Sequence, residues 1–345
     1  METAFTRLVG VRHPVVQTGM GWVAGPRLVA ATAEAGGLGI LGSATMTLPE
    51  LTTAIDEVKR RTSAPFGVNL RADADDAAAR VDLLVSAGVR VASFALAPRP
   101  ELIAKLRDNG VVVIPSVGAA RHAEKVAAWG ADAVLVQGGE GGGHTGGVAT
   151  TLLLPAVLDA VDIPVVAAGG FFDGRGLAAA LAYGAAGVAM GTRFLLTQES
   201  TVPDEVKQFY LARSLTDTVV TRSVDGVPHR VLRTDLVNRL ENRRFRLLAA
   251  LRNALRFRAL TGLTVPAMVR EGLAMRRTRD LTWSQVIMAA NTPMLLRAGL
   301  VDGDADAGVL ASGQVVGLLT DLPTVADLIE TMVTEATTIL KNLPG

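Results

Sequence analysis

The chain has 345 residues, 49% hydrophobic and 19% charged, and no cysteine. This excludes a disordered chain, disulfides, thiolate nucleophiles, iron–sulfur clusters and cysteine-bound zinc, and it allows one large or two ordinary domains with a sizeable core. The formal net charge of +1 hides an uneven distribution: residues 222–279 hold fourteen arginines against four acids, Asp225, Asp235, Glu241 and Glu271.

In chain order, short apolar runs rich in Val, Ile and Ala alternate with helical patterns. The runs cover residues 14–18, 38–42, 65–70, 91–96, 111–116, 133–137, 164–168 and 187–191. They show little polar alternation, which is the pattern of strands covered on both faces. Between them the spacing predicts helices over 26–35, 48–61, 75–87, 99–109, 119–129, 152–161 and 175–183. Several of these end in a glycine stop, as in AEAGG, VSAGV, AAWGA and LAYGA, where glycine can take the left-handed position. Eight evenly spaced strands favour an α/β fold of the (β/α)8 TIM-barrel type over an open doubly wound sheet.

After the eighth run the pattern changes. Residues 198–306 read as helical and Arg-rich, punctuated by Pro203, Pro228, Pro266 and Pro293. They are expected to form an inserted, mostly helical substrate domain. The barrel would then comprise 1–197 and 307–345, with 324–343 as its last helix. The basic excess should meet an anion; a solvated helix face or a dimer surface is the competing reading. The first ten residues, METAFTRLVG, lack an apolar signal core, and no run of about 18 apolar residues occurs, so a cytoplasmic protein without a membrane partner is expected.

Barrel sites lie at the carboxyl ends of the strands. The segments there are QTGMGWVAG, FGVNLRAD, QGGEGGGHTGG, AAGGFFDGRG and MGTRFLLT, where glycines and small polar groups gather. Gly169-Gly170 and Gly191-Thr192 can offer bare backbone N–H groups to a phosphate, with the helix start at 173–175 adding its dipole. The alternative is that these glycines only turn the chain. The stretch GGEGGGHTGG places seven glycines around His144. Its formal GxGxxG (Gly141, Gly143, Gly146) follows the sixth run rather than the first, so a dinucleotide fingerprint fits poorly. A glycine floor for a planar ring, with His144 at its edge, fits better. Histidine ordinarily titrates near neutral pH, which suits proton transfer. His13 and His122 read as structural. His229, with Arg230 beside it in GVPHRVLRT, is a candidate for the substrate. No H-x-E or H-E-x-x-H spacing points to a metal.

QTGMGWVAG, PFGVNL, VQGGEGGGHTG, AAGGFFDGRG, MGTRF and the late VLASGQVVGLL together resemble the nitronate monooxygenase flavoproteins over nearly the whole chain. The resemblance implies an FMN-binding TIM barrel. By it, Thr18, Gly19 and Met20 touch the flavin ring, Asn69 and Gln137 bond its polar edge, and Gly142 and Gly143 line it. Gly169, Gly170, Gly191 and Thr192 hold the phosphate, Gly313 and Gln314 return to the cofactor, and His144 is the catalytic base. One departure is Glu140-Gly-Gly-Gly-His144, where the family has E-A-G-G-H. HPVVQTGMGWVAG, RVASFALAP, LTWSQVIMAANTPML and GVLASGQVVGLL are closer to an actinobacterial branch of steroid catabolism. That branch implies oxidation of a ring hydroxyl on a bicyclic CoA thioester, with NAD(P)+ reoxidising the FMN. A small-molecule CoA ester is then the expected partner, not nucleic acid, and a homodimer is left open. Nitronate oxidation with O2, enoyl-thioester reduction and a flavin-binding module without turnover are the rival readings.

Overall fold

The computed structural model describes residues 1–241, 283–304 and 308–342. Two compact units divide the chain: 1–141, 145–201 and 318–345 form one, and 142–144 with 202–317 form the other.

In the first unit all eight apolar runs become strands: β1 (Val15–Gln17), β2 (Leu38–Gly42), β3 (Gly67–Arg71), β4 (Val91–Ala95), β5 (Val112–Val117), β6 (Val134–Gln137), β8 (Val165–Ala168) and β9 (Gly187–Met190). They pair in this order, every pairing parallel, and β9 returns to β1 to close a barrel. The lack of polar alternation has a direct cause. On β4, Val91 joins the cluster inside the barrel, whereas Ala92 and Phe94 join the cluster beneath the helices. On β5, Val112 and Ile114 belong to the first cluster and Val113 to the second. Each strand thus meets apolar groups on both faces, and each fully buried Leu or Phe contributes about 1.5–3 kcal/mol.

The predicted helices form as α2 (Pro26–Glu34), α3 (Leu48–Arg61), α4 (Ala77–Ser86), α5 (Pro100–Asp108), α6 (Ala120–Ala128), α7 (Thr150–Leu158) and α8 (Gly174–Ala182). The glycines expected as stops, Gly36, Gly88, Gly130 and Gly184, all take positive φ. α7 begins at Thr150 rather than 152, because Glu140 accepts from the backbone N–H of Thr150 at 3.0 Å and from its hydroxyl at 2.8 Å. A helix start otherwise leaves such donors without partners. After β9 comes the short α9 (Thr192–Leu195), and the last helix, α13 (Val325–Lys341), packs on α8 and α2. At the α8–α13 crossing a Cβ on Gly174 would lie 2.5 Å from Met332 O, so only glycine permits the approach.

An unforeseen helix, α1 (Ala4–Val9), precedes the barrel. Its Phe5 and Val9 complete the interior cluster. Arg90, just before β4, donates to the carbonyls of Leu8 at 2.5 Å and Val9 at 3.1 Å, satisfying acceptors at the helix end. The amino-terminal end of the barrel is thereby stoppered.

The second unit contains α10 (Asp204–Leu211), α11 (Asp235–Glu241) and α12 (Trp283–Leu300). It also holds an antiparallel sheet that the sequence reading missed, in the order β10 (Thr218–Thr221), β11 (His229–Leu232), β7 (Gly143–His144). The described part of 198–306 therefore carries two strands beside its three helices. Ten of the fourteen arginines lie in 242–282, outside the described residues. Val224, Val231, Val237, Leu295 and Val309 make this unit's core. No described helix is long and apolar enough to cross a membrane.

Candidate active site

At the carboxyl ends of the barrel strands, the segments Thr18-Gly19-Met20, Asn69 and Gly191-Thr192 come together. Thr18 N–H donates to Met190 O at 3.1 Å and its hydroxyl donates to the same oxygen at 3.3 Å, which ties the end of β1 to the end of β9. A Cβ on Gly19 would lie 2.3 Å from Asn69 Cβ, and one on Gly191 would lie 3.3 Å from Met20 Sδ. The Asn69 side-chain amide donates to Ser93 Oγ at 3.4 Å, and the Asn69 backbone carbonyl accepts from Ser43 Oγ at 2.6 Å.

Gln137, Gly138, Gly141 and Gly169 gather at the ends of β6 and β8. A Cβ on Gly141 would lie 2.6 Å from Gln137 Nε2, and one on Gly169 would lie 3.0 Å from Gly138 O. Gly169 and Gly170 have φ of +91° and +87°, successive left-handed residues that side chains rarely allow. Trp22 and Leu96, the only described non-glycine residues with positive φ, sit in loops that leave β1 and β4 at the same end. Strained backbone of this kind tends to collect at functional sites.

At the α8 amino terminus the first backbone donors already have partners. Gly174 N–H donates to Glu335 Oε2 at 2.8 Å and Gly176 N–H donates to Asp173 Oδ1 at 3.1 Å. Two protein carboxylates already occupy those donors, so they are not open to a phosphate.

The remaining predicted residues lie in the second unit. Gly142 packs on the backbone of Ser312 and Gly313, where a Cβ would come within 2.6 Å of Gly313 N. Gln314 starts the short helical turn Gln314–Leu318. Gly143, with φ of +75°, and His144 form β7 and pair with Arg230 and His229 of β11. His144 Nε2 is 2.5 Å from Asp225 Oδ2, and His229 Nδ1 is 3.8 Å from the same oxygen. Arg230 donates to Thr218 Oγ1 at 3.0 Å.

Asp225 was not foreseen. It lies 81 residues from His144, and only the pairing of β7 with β11 unites them. The one local signal was its place four residues before His229. Burial pushes the Asp225 carboxyl up, but hydrogen bonds and charge from His144 and His229 outweigh that and hold it well below the usual carboxylate range. His229 is buried, and desolvation lowers its pKa despite the Asp225 contact.

A closed eight-stranded parallel barrel with glycine-rich loops at the carboxyl ends of its strands defines a TIM-barrel protein. The nitronate monooxygenase family model matches residues 2–83 and 78–335, and the chain belongs to that family. It is an oxidoreductase of a flavin-using family. It is 73% identical, over 97% of this chain and 96% of the relative, to (3aS,4S,5R,7aS)-5-hydroxy-7a-methyl-1-oxo-octahydro-1H-indene-4-carboxyl-CoA dehydrogenase of Rhodococcus jostii (strain RHA1). Identity to the protein of the same name in Mycobacterium tuberculosis is 68%, over 99% and 98% of the two chains. Among solved structures, FabK from Thermotoga maritima has a TM-score of 0.81 at 35% identity, covering 99% of this chain and 98% of that one. At positions 19, 169 and 191 an added Cβ would lie 2.3, 3.0 and 3.3 Å from Asn69 Cβ, Gly138 O and Met20 Sδ, so glycine lets the rim segments pack closely there.

Proposed function

We propose that this protein is an FMN-dependent dehydrogenase that oxidises the ring hydroxyl of a hydroxy-methyl-oxo-octahydroindene-carboxyl-CoA ester, with NAD(P)+ as the final acceptor. The near-full-length identity of 73% to a dehydrogenase named for that substrate carries this reading. The bound flavin would accept the hydride from the carbinol carbon. Thr18, Gly19, Met20, Asn69 and Gln137 would hold its ring, and Gly169, Gly170, Gly191 and Thr192 its phosphate.

His144 would take the hydroxyl proton as the carbonyl forms. Its exposed side chain and its carboxylate partner suit that task. The arginines of 222–279, with Arg230 and His229 at their start, would bind the CoA phosphates; guanidinium forks match such oxygens.

Anaerobic titration of the purified protein with the hydroxyindane-CoA ester should bleach the flavin, and NAD+ or NADP+ should restore its colour. A flavin that stays yellow with this ester, yet is turned over by an alkyl nitronate and O2, would mark a nitronate monooxygenase instead.

A further inference from the structure

We propose that Asp225 is a positioning residue that fixes the tautomer and the orientation of the His144 ring. β7 and β11 pair antiparallel, with His144 directly opposite His229. Directly opposite residues project from the same face of a sheet. The chain enters β11 through a turn in which Asp225 Oδ1 accepts from the Val227 N–H at 3.1 Å. That local bond fixes the carboxyl group, as an Asx turn does. It leaves Oδ2 aimed at His144 Nε2, 2.5 Å away.

Asp225 is an acceptor only, because His144 and His229 together keep it ionised despite its burial. The hydrogen on that contact therefore belongs to His144 Nε2. In the neutral ring the lone pair then resides on Nδ1, which becomes the nitrogen able to receive a proton. His229 closes the other side. Its ring centroid is 4.6 Å from that of His144, and it is only 3% exposed. Desolvation disfavours its charged form, so it walls the pair without competing as a cation.

A metal ion is the rival occupant. One ligand atom from each of His144, Asp225 and His229 lies within 4.8 Å of the others. Ligand bonds of about 2.0–2.2 Å in a tetrahedral shell put neighbouring ligand atoms more than about 3 Å apart. The separation of 2.5 Å between Nε2 and Oδ2 is a hydrogen bond and leaves no place for an ion between them.

The effect on turnover rests on the proposed role of His144; the tautomer does not. The test is nitrogen-15 NMR of the ring nitrogens in full-length, flavin-loaded protein labelled at histidine. Only four histidines need assignment. Neutral His144 is expected to carry its hydrogen on Nε2. In Asp225→Asn the amide oxygen can keep the Val227 bond, which turns the NH2 group toward Nε2 and drives the hydrogen to Nδ1. That variant should retain flavin, with kcat lower by about 10²-fold or more and KM little changed. A wild-type ring protonated on Nδ1, or ring signals that Asp225→Asn leaves unchanged, would overturn the proposal; the wild-type spectrum decides even if the variant does not fold. Saturation by one equivalent of Zn2+, moving the His144 and His229 signals together, would overturn it in favour of a metal site. Reversed ring signals with undiminished turnover would support the positioning role and sink the catalytic one.

Discussion

The rings of His144 and His229 stand 4.6 Å apart on directly opposite residues of β7 and β11. One is exposed and hydrogen-bonded to a carboxylate; the other is buried. Identical side chains thus sit in different surroundings, one in solvent beside a carboxylate and one buried.

That burial makes stability depend on pH. The folded pKa of His229 lies below the ordinary 6.5, chiefly through desolvation. An unfolded chain takes up the proton as pH falls through that value, while the folded chain resists, so acid favours unfolding. The melting temperature is expected to fall between about pH 7 and 5, and His229→Asn should flatten part of that slope. His13, also lowered by burial, keeps its share in both proteins. Parallel melting curves for the two would contradict the assignment.

Replacing the proposed base should separate binding from chemistry. His144→Ala is expected to keep its flavin spectrum and lose roughly 10²–10⁴-fold in kcat, the scale for a general base. Stopped-flow reduction with the CoA ester measures this directly. Equal rates would mean that another group takes the proton.

The rim glycines divide into two kinds. Gly191 has an ordinary φ, and an added Cβ would meet the movable Met20 side chain at 3.3 Å. Gly191→Ala should therefore melt like the wild type while holding flavin more weakly. At Gly170 an added Cβ would make only an ordinary contact with Glu140 at 3.8 Å, but φ is +87°. Gly170→Ala should lose about 1–2 kcal/mol of stability from the left-handed backbone alone. Melting curves and flavin occupancy, read together, distinguish the two.

Glu140 bonds the N–H and the hydroxyl of Thr150. Glu140→Ala should cost about 1–2 kcal/mol in denaturant unfolding, since it frees a helix-start donor. An unchanged midpoint would show that solvent replaces the carboxylate without loss.

If the arginines of 222–279 bind CoA phosphates, the contact is electrostatic and screened by salt. KM for the CoA ester should rise several-fold between low salt and about 0.5 M, with kcat little affected. A 3′-dephospho ester should depend less on salt. A flat profile for both would assign the basic segment to another role.

The barrel was legible because its strands are apolar on both sides and several of its helices stop at a glycine. Val91-Ala92 and Val112-Val113 show why: one residue of each pair faces inward and the next faces the helices, and both demand the same chemistry. α1 was missed because a short helix with few apolar positions gives little periodicity. The small sheet was missed because β7 is two residues long, and its hydrogen bonds come from β11, far along the chain. Local patterns report neighbours in sequence. Asp225 owes its meaning to His144, 81 residues away, and no period or motif links them.

The sheath of the barrel is completed only by α13, which the chain reaches long after it has laid down β9 at Met190. On a ribosome, the apolar flanks of α2 and α8 must therefore wait uncovered while everything between Met190 and Val325 is synthesised. A nascent chain arrested before Val325 should be a ready client for chaperones. Nonsense mutations near the end of the coding sequence should be as damaging as those near its start.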